Sequence, residues 1–557
     1  MAATGRRSRI AVAVLVWLAW PAAAAAQSSP TGLVFTPSVL SPGTTGPLLI
    51  EAELTAAPTR VSLDFNPAGT TLTQIELRDD GAEGDRVAGD RTYSVRVPVG
   101  PILAARTLDD VNRVFVGFLD IFNGTARMRF NLFVDVYTSV VGEYPITRLS
   151  QFVQATTRLV NIHSPAYFAS RNIVNVVLEF YRSFPDEYDF VNMIADPQRF
   201  ENRYHSVIAN DVSGIGQALT NGARTWGSSS GRLLGLSSFP IARLYDGAET
   251  GYLHELGHQW INHLRIQPFA VGVPHWPYST MASGVMGFSI GGTGGQGGNY
   301  GCVITEDPRG YVLTPRVGAP GFNDLDLYLM GLMPANEVRD QFVFADQSAA
   351  AQLPCSGVFT GAMTRVRIAD VMGTLGARAP AFGAAPRTYR AATILVTRDG
   401  LASPEMMWLY SYLTERAEWR ARVPTHSGFA KELGQPFFVA TRGRGSLEVD
   451  IGLQRPDFAV LPGTAEVTVP AGTPARYQIT AFSRQSTFTQ PVTLSCESLP
   501  ANAGCTFDQE SVVPGAGGQT TVVSISTANV ARGTHVVIVS GRSGGEKHST
   551  AVTVTVQ

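Results

Sequence analysis

Residues 251–264 read GYLHELGHQWINHL, and within them His254, Glu255 and His258 stand in the order H-E-x-x-H. On an α-helix, positions four apart share a face, so His254 and His258 would direct two neutral imidazoles to one point. That is the geometry of two ligands on one zinc ion. Glu255 lies about 100° round the helix and would flank such a metal rather than ligate it. From there its carboxylate would take a proton from a zinc-activated water. The alternative is two half-buried histidines on an ordinary surface helix. The chain has only nine histidines, and chance would place H-E-x-x-H in roughly one such chain in a hundred. The zinc reading is therefore preferred.

Working outward, Glu249 and Tyr252 to Leu253 lead into the helix, and Trp260, Ile261 and Leu264 supply an apolar body that predicts a helix continuing to Leu264. Gly257 weakens that helix but leaves room for another group to pack closely. The third ligand is less direct. His263 lies nine residues after His254, about half a turn away on a continuous helix. The downstream stretch GFNDLDLYLMGLMPANEV (321–338) offers Asp326 in a strongly apolar helical run, where a buried acid needs a partner and a metal would serve. Against this, Asn323 as N-cap with Asp326 at the third helical position would form a capping box with no metal. Asp324 and Glu306 are further candidates. In VPHWPYST (273–280), His275 is a candidate oxyanion stabiliser, or with Trp276 a packing corner. Tyr328 is a second oxyanion candidate. GGTGGQGGNYG (291–301) is too glycine-rich for a core element and reads as a flap over the cleft or a surface loop.

The chain of 557 residues is too long for one core, and about three domains are expected. Hydrophobic residues at 44% and charged residues at 16% describe a globular protein, and a net charge of −2 gives no reason to expect nucleic acid or an anionic membrane as partner. Arg6, Arg7 and Arg9, the apolar run Ile10 to Trp20 and the small residues Ala22 to Ala26 read as a signal peptide (1–26) cut after Ala26. No later segment is long and apolar enough to cross a membrane. A secreted location, extracellular or periplasmic, follows as the expectation. Export makes the four cysteines readable as local disulfides, Cys302 with Cys355 and Cys496 with Cys505. The latter would clip a short loop, a contribution of about 2–3 kcal/mol.

Three regions follow one another. Residues 31–137 alternate apolar and polar in short runs such as RVSLDF and TYSVRVPV, the pattern of β-strands. Within them Asp79, Asp80, Asp85 and Asp90, interleaved with glycines, form either an oxygen-rich Ca²⁺ site or a long Asx/Gly turn. Residues 142–452 mix helical spacing (NIVNVVLEFYRSF, and SPEMMWLYSYLTERAEWRARV with Ser403 as N-cap) with strand patterns (YDFVNMIA, YHSVIAND, GRLLGLSSFP), an α+β domain. Residues 456–557 are again β, rich in Val, Thr, Ser and Gly.

The DDG…GD…AGD…Y run of the first region resembles a signature of Ig-like domains in secreted bacterial proteins. The last region, with its LSC…LP…CTF core, resembles bacterial Ig-like repeats, modules that space or attach. HELGHQW followed by GVMG and LDLYLMGL resembles a group of secreted bacterial zincin-like proteins, in which the acid before LYLMGL, here Asp326, stands where a third ligand would sit. The metzincin continuation is absent: Ile261 and Leu264 occupy its glycine and third-histidine positions. Together these resemblances imply a zincin-like α+β metallopeptidase domain between two all-β Ig-like sandwiches. Its zinc would be held by His254, His258 and Asp326, and Glu255 would be the general base for peptide-bond hydrolysis. The substrate would be a protein or peptide, with the Ig-like ends open to cell-surface or glycan attachment. The rival is an adhesion or glycan-binding protein on a non-catalytic zincin scaffold.

Overall fold

The computed structural model describes residues 28–67, 72–105, 113–138, 141–199, 203–239, 251–261, 263–287, 302–316, 321–420, 435–451, 457–464, 466–484, 488–497, 499–515, 517–544 and 546–557. The signal-peptide segment 1–26 and the glycine-rich stretch 291–301 lie outside the described residues.

Alternating runs in the first region close into a two-sheet sandwich. One sheet contains Pro30–Thr36, Pro47–Leu54 and Thr92–Pro98; the other contains Val39–Leu40, Ala126–Val136, Arg113–Asn123, Arg60–Phe65 and Thr73–Leu77. Leu33, Ile50 and Ala52 face Leu63, Leu119 and Val134 across a closed core. A second sandwich occupies the C-terminal region, with Asp457–Pro462, Ala475–Arg484, Gln519–Ile525 and Cys505–Phe507 opposite a sheet that includes Gly533–Ser543 and Glu546–Val556. Tyr477, Ile479 and Val523 pack on Val537, Val539 and Val552 there.

The middle region is built on one large mixed sheet. Its strands in chain order are β1 (Thr147–Arg148), β2 (Val153–Ala155), β3 (Val160–His163), β4 (Phe190–Asp196), β5 (Tyr204–Val207), β6 (Gly235–Phe239), β7 (Thr388–Thr397) and β8 (Ser446–Glu448). In space they run β5-β6-β4-β7-β3-β2-β1, with β8 on the start of β7. β6, β4, β7 and β3 are mutually parallel, whereas β5 closes one edge antiparallel to β6. Parallel strands are buried on both faces, which explains why FVNMIA and ATILV are apolar on both faces, broken only by the buried Asn192 and Thr393. On one face, α1 (Ile173–Ser183) lays Val176, Val177 and Phe180 against Val191, Met193, Ile394 and Val396. The other face carries α2 (Tyr252–Gly257), α3 (Asp324–Leu329) and α4 (Pro404–Glu415). Leu253, Leu256, Trp260, Leu325 and Met407 share its core with Phe190, Ile194 and Leu395.

The sandwich and the sheet are joined by more than chain continuity. Gln198 and Arg199, just past β4, pair antiparallel with Leu33 and Gly32 of the first sandwich. Ser38 Oγ donates to Asp196 Oδ2 (3.1 Å), Arg398 pairs with Glu53, and Tyr410 OH donates to Asp135 Oδ2 (2.8 Å). Both expected disulfides are present, Cys302–Cys355 and Cys496–Cys505. No described helix is long and apolar enough to cross a membrane.

Candidate metal centre

The motif helix is shorter than the sequence predicts. α2 spans Tyr252–Gly257, and the chain then tightens into three-residue turns, with His258 N donating to Glu255 O, Gln259 N to Leu256 O and Trp260 N to Gly257 O. Gly257 is where regular helix ends, as its low propensity favours, and it is also closely packed. A Cβ there would fall 2.3 Å from Met286 Sδ and 3.3 Å from Phe322 Cε1. The glycine thus admits the 281–287 loop against the back of the motif. His258 keeps helical dihedrals despite the change, so the four-residue spacing still delivers both imidazoles to one side.

A third imidazole meets them. His254 Nε2 lies 3.0 Å from His275 Nε2 and 3.2 Å from His258 Nε2, and one ligand atom from each of the three histidines falls within 4.8 Å of the others. Tetrahedral zinc with bonds of about 2.05 Å would set its nitrogen ligands about 3.3 Å apart, close to these separations. His254 Nδ1 stands 2.8 Å from Val285 O. That carbonyl requires the Nδ1–H tautomer and leaves the Nε2 lone pair facing the other rings. Burial pushes His254 down to about 3 and His258 to about 2, and lowers His275 as well. All three are therefore neutral at physiological pH, the ligand form.

Asp326 is not part of this cluster. It is fully buried, and its Oδ1 accepts from Trp276 Nε1 (2.7 Å) while Oδ2 accepts from Asn323 N (3.0 Å). Asn323 Oδ1 in turn accepts from Asp326 N (2.9 Å), completing the capping box. Both carboxylate oxygens are spent on helix start and indole, and the cap, not a metal, accounts for an acid in an apolar run. Its tie to Trp276 nevertheless reaches the residue beside His275. Trp276 N also donates to Met286 O (3.1 Å), so one loop braces His254 and the His275 segment together.

The other candidates fall elsewhere. Asp324 is taken by Arg339 and Arg442, and Glu306 is exposed on the strand Cys302–Asp307. Tyr328 OH accepts from Arg378 N (2.9 Å), which fits a structural role rather than oxyanion binding. His263 Nε2 lies 2.8 Å from His258 O, folded back on the motif's own backbone. Of the Asp/Gly stretch, Asp79, Asp85 and Asp90 lie close enough to share a cation, while Asp80 is not in the group. Their carboxylates accept from turn amides: Asp79 from Gly89, Asp90 and Arg91, and Asp85 from Gly81 and Val87. This is the Asx/Gly-turn reading.

Glu255 is 4% exposed, and burial pushes its carboxyl up to about 7, opposed by Arg203, whose Nε stands 3.6 Å from Glu255 Oε1. Sequence reasoning missed Arg203, since nothing near it in the chain connects it to the motif. It also missed His205, which holds edge strand β5 against α2 through Gln259 (Nε2 to Oε1, 2.9 Å) and Ser237 (Nδ1 to Oγ, 3.0 Å).

No protein-family model matches the chain, and no curated protein does. Solved structures match over short segments. Domains 4 and 5 of the S-layer protein SbsC are 15% identical over 20% of this chain and 55% of theirs, TM-score 0.14. An Ig complex of titin M10 and obscurin-like 1 is 19% identical over 18% of this chain and 93% of that one, TM-score 0.13. A conjugative transposon lipoprotein from Bacteroides eggerthii is 10% identical over 17% and 95%, TM-score 0.15. The chain spans about half the length of the S-layer structure. The matches include Ig domains, and the chain is mostly β-sheet.

Proposed function

We propose that the chain is an exported, metal-dependent peptidase whose zincin-like middle domain holds one zinc ion through His254, His258 and His275. The observation that carries this reading is the convergence of three neutral imidazole nitrogens beside a buried glutamate. A bound zinc ion supplies Lewis acidity toward water and the scissile carbonyl. Everything else falls to the chain's own groups. His254 is fixed in tautomer and direction by Val285 O. Glu255, pushed up to about 7, is poised to accept a proton from water and return it to the leaving nitrogen near neutral pH. Tight packing of Met286 on Gly257 holds the helix that carries both groups.

The test is hydrolysis of an unbiased peptide mixture, read by mass spectrometry, alongside the zinc content of wild type and Glu255→Gln. Cleavage by the wild type that vanishes in the variant while zinc stays bound supports the proposal. Zinc-loaded wild type that cleaves nothing would favour the scaffold reading, in which the site is structural and the sandwiches attach.

A further inference from the structure

We infer that Arg203 is the positioning residue for Glu255, holding that carboxylate relative to the three histidines from the position just before edge strand β5. The inference rests on the reading of Glu255 as the proton carrier. Arg203 Nε approaches Glu255 Oε1 at 3.6 Å, with the Arg203 side chain 27% exposed and that of Glu255 6% exposed. Among the described residues it is the cation that acts on Glu255. A glutamate has three rotatable torsions, and a reacting oxygen displaced by an ångström loses most of its effect. An ion pair to one oxygen restricts where the carboxylate can sit.

The described chain on both sides of Arg203 is tied to neighbouring strands. Downstream, Arg203 leads directly into β5, where the His205 ring is locked between Gln259 and Ser237. β5 is registered on β6 through Tyr204 with Ser238 and His205 with Ser237. Upstream, Gln198 and Arg199 are paired with Leu33 and Gly32 of the N-terminal sandwich, and the Arg199 guanidinium stands 5.8 Å from the Phe168 ring centroid.

The experiment uses full-length, zinc-loaded protein as wild type, Arg203→Gln, Arg203→Lys, Glu255→Gln and the double variant Arg203→Gln/Glu255→Gln. Thermal midpoints come first, because they need no turnover. Arg203→Gln should lower the midpoint by about 2–4 °C when Glu255 is present and hardly at all in the Glu255→Gln background. Additive shifts would overturn the pairing. With peptide substrate, Arg203→Gln should lower kcat by about 100-fold with KM and zinc content unchanged, and Arg203→Lys should recover most of the loss. A change confined to KM would make Arg203 a substrate contact and overturn the positioning role. Coupled midpoints without turnover in any protein would leave the pairing standing and remove the peptidase reading instead.

Discussion

Replacing Asp326 by alanine separates two accounts of the third ligand. If Asp326 braces the site rather than binding metal, the loss has two structural parts. The Asp326 half of the capping box disappears: Asn323 N loses its acceptor, about 0.5–1.5 kcal/mol, while Asn323 Oδ1 keeps its bond from the backbone N of residue 326. The Trp276 indole N–H, buried and 2.7 Å from Asp326 Oδ1, is left without its acceptor, a further ~1–3 kcal/mol. The sum, roughly 2–4 kcal/mol, corresponds to a midpoint shift on the order of 3–6 °C in a domain of this size. Zinc affinity should fall only by about 10–100-fold, the range for losing a group that orients a ligand, because His275 remains but sits on a looser loop. His275→Ala removes a ligand outright and should reduce zinc far more, with a small change in the midpoint of the metal-free protein. The assay is zinc retention against a graded series of competing chelators, paired with calorimetry of the metal-free proteins. Asp326→Ala that loses zinc as completely as His254→Ala, beside His275→Ala that retains it at wild-type affinity, would refute the geometry argued above.

Other consequences follow from the same packing. Burial pushes Asp196 up to about 6, so its proton is held in the folded chain and released in the unfolded one. Stability from this group is present below pH ~4 and lost as pH rises through 6, by up to about 3 kcal/mol. Asp196→Asn should therefore raise the thermal midpoint at pH 8 and leave it nearly unchanged at pH 4. Gly214 has φ +76° and faces Ala377 O at 2.5 Å from a built Cβ, so Gly214→Ala should destabilise by about 1–3 kcal/mol, measurable by urea unfolding. The Cys302–Cys355 bond closes a separation of 53 residues, and a Cys302→Ser/Cys355→Ser variant should lose about 4 kcal/mol on the chain-entropy account, read as a lower urea midpoint.

Much of this was legible along the chain, for reasons that particular residues show. Ser403 caps α4 through Met406 N, and Asn323 with Asp326 caps α3, because caps are written within a few positions of the helix they start. The alternation in RVSLDF became a sandwich strand, because successive strand side chains point to opposite faces, and the largely apolar FVNMIA became β4, buried on both faces of a parallel sheet. Cys496 and Cys505 found each other because a loop of nine residues closes readily. The motif helix failed where local propensity met packing: Met286 on Gly257 ends the regular helix, so Trp260 and Leu264 enter the core from turns.

The sequence by itself determined that His254 and His258 share a side and that Glu255 flanks them, since four residues of helix suffice for that. Only the tertiary structure decided which residue completes the cluster. The sequence pointed to Asp326, an acid in an apolar run, and read His275, a loop residue between prolines, as an oxyanion stabiliser or a packing corner. Asp326 was claimed by its own helix cap and by the Trp276 indole, and that bond carries the neighbouring His275 to the motif. Arg203 was decided in the same way, by the pairing of the edge strand that follows it with the sheet. Contacts within a turn are fixed by spacing, whereas contacts between distant segments depend on which partner satisfies a buried polar group, and a linear pattern does not encode that choice.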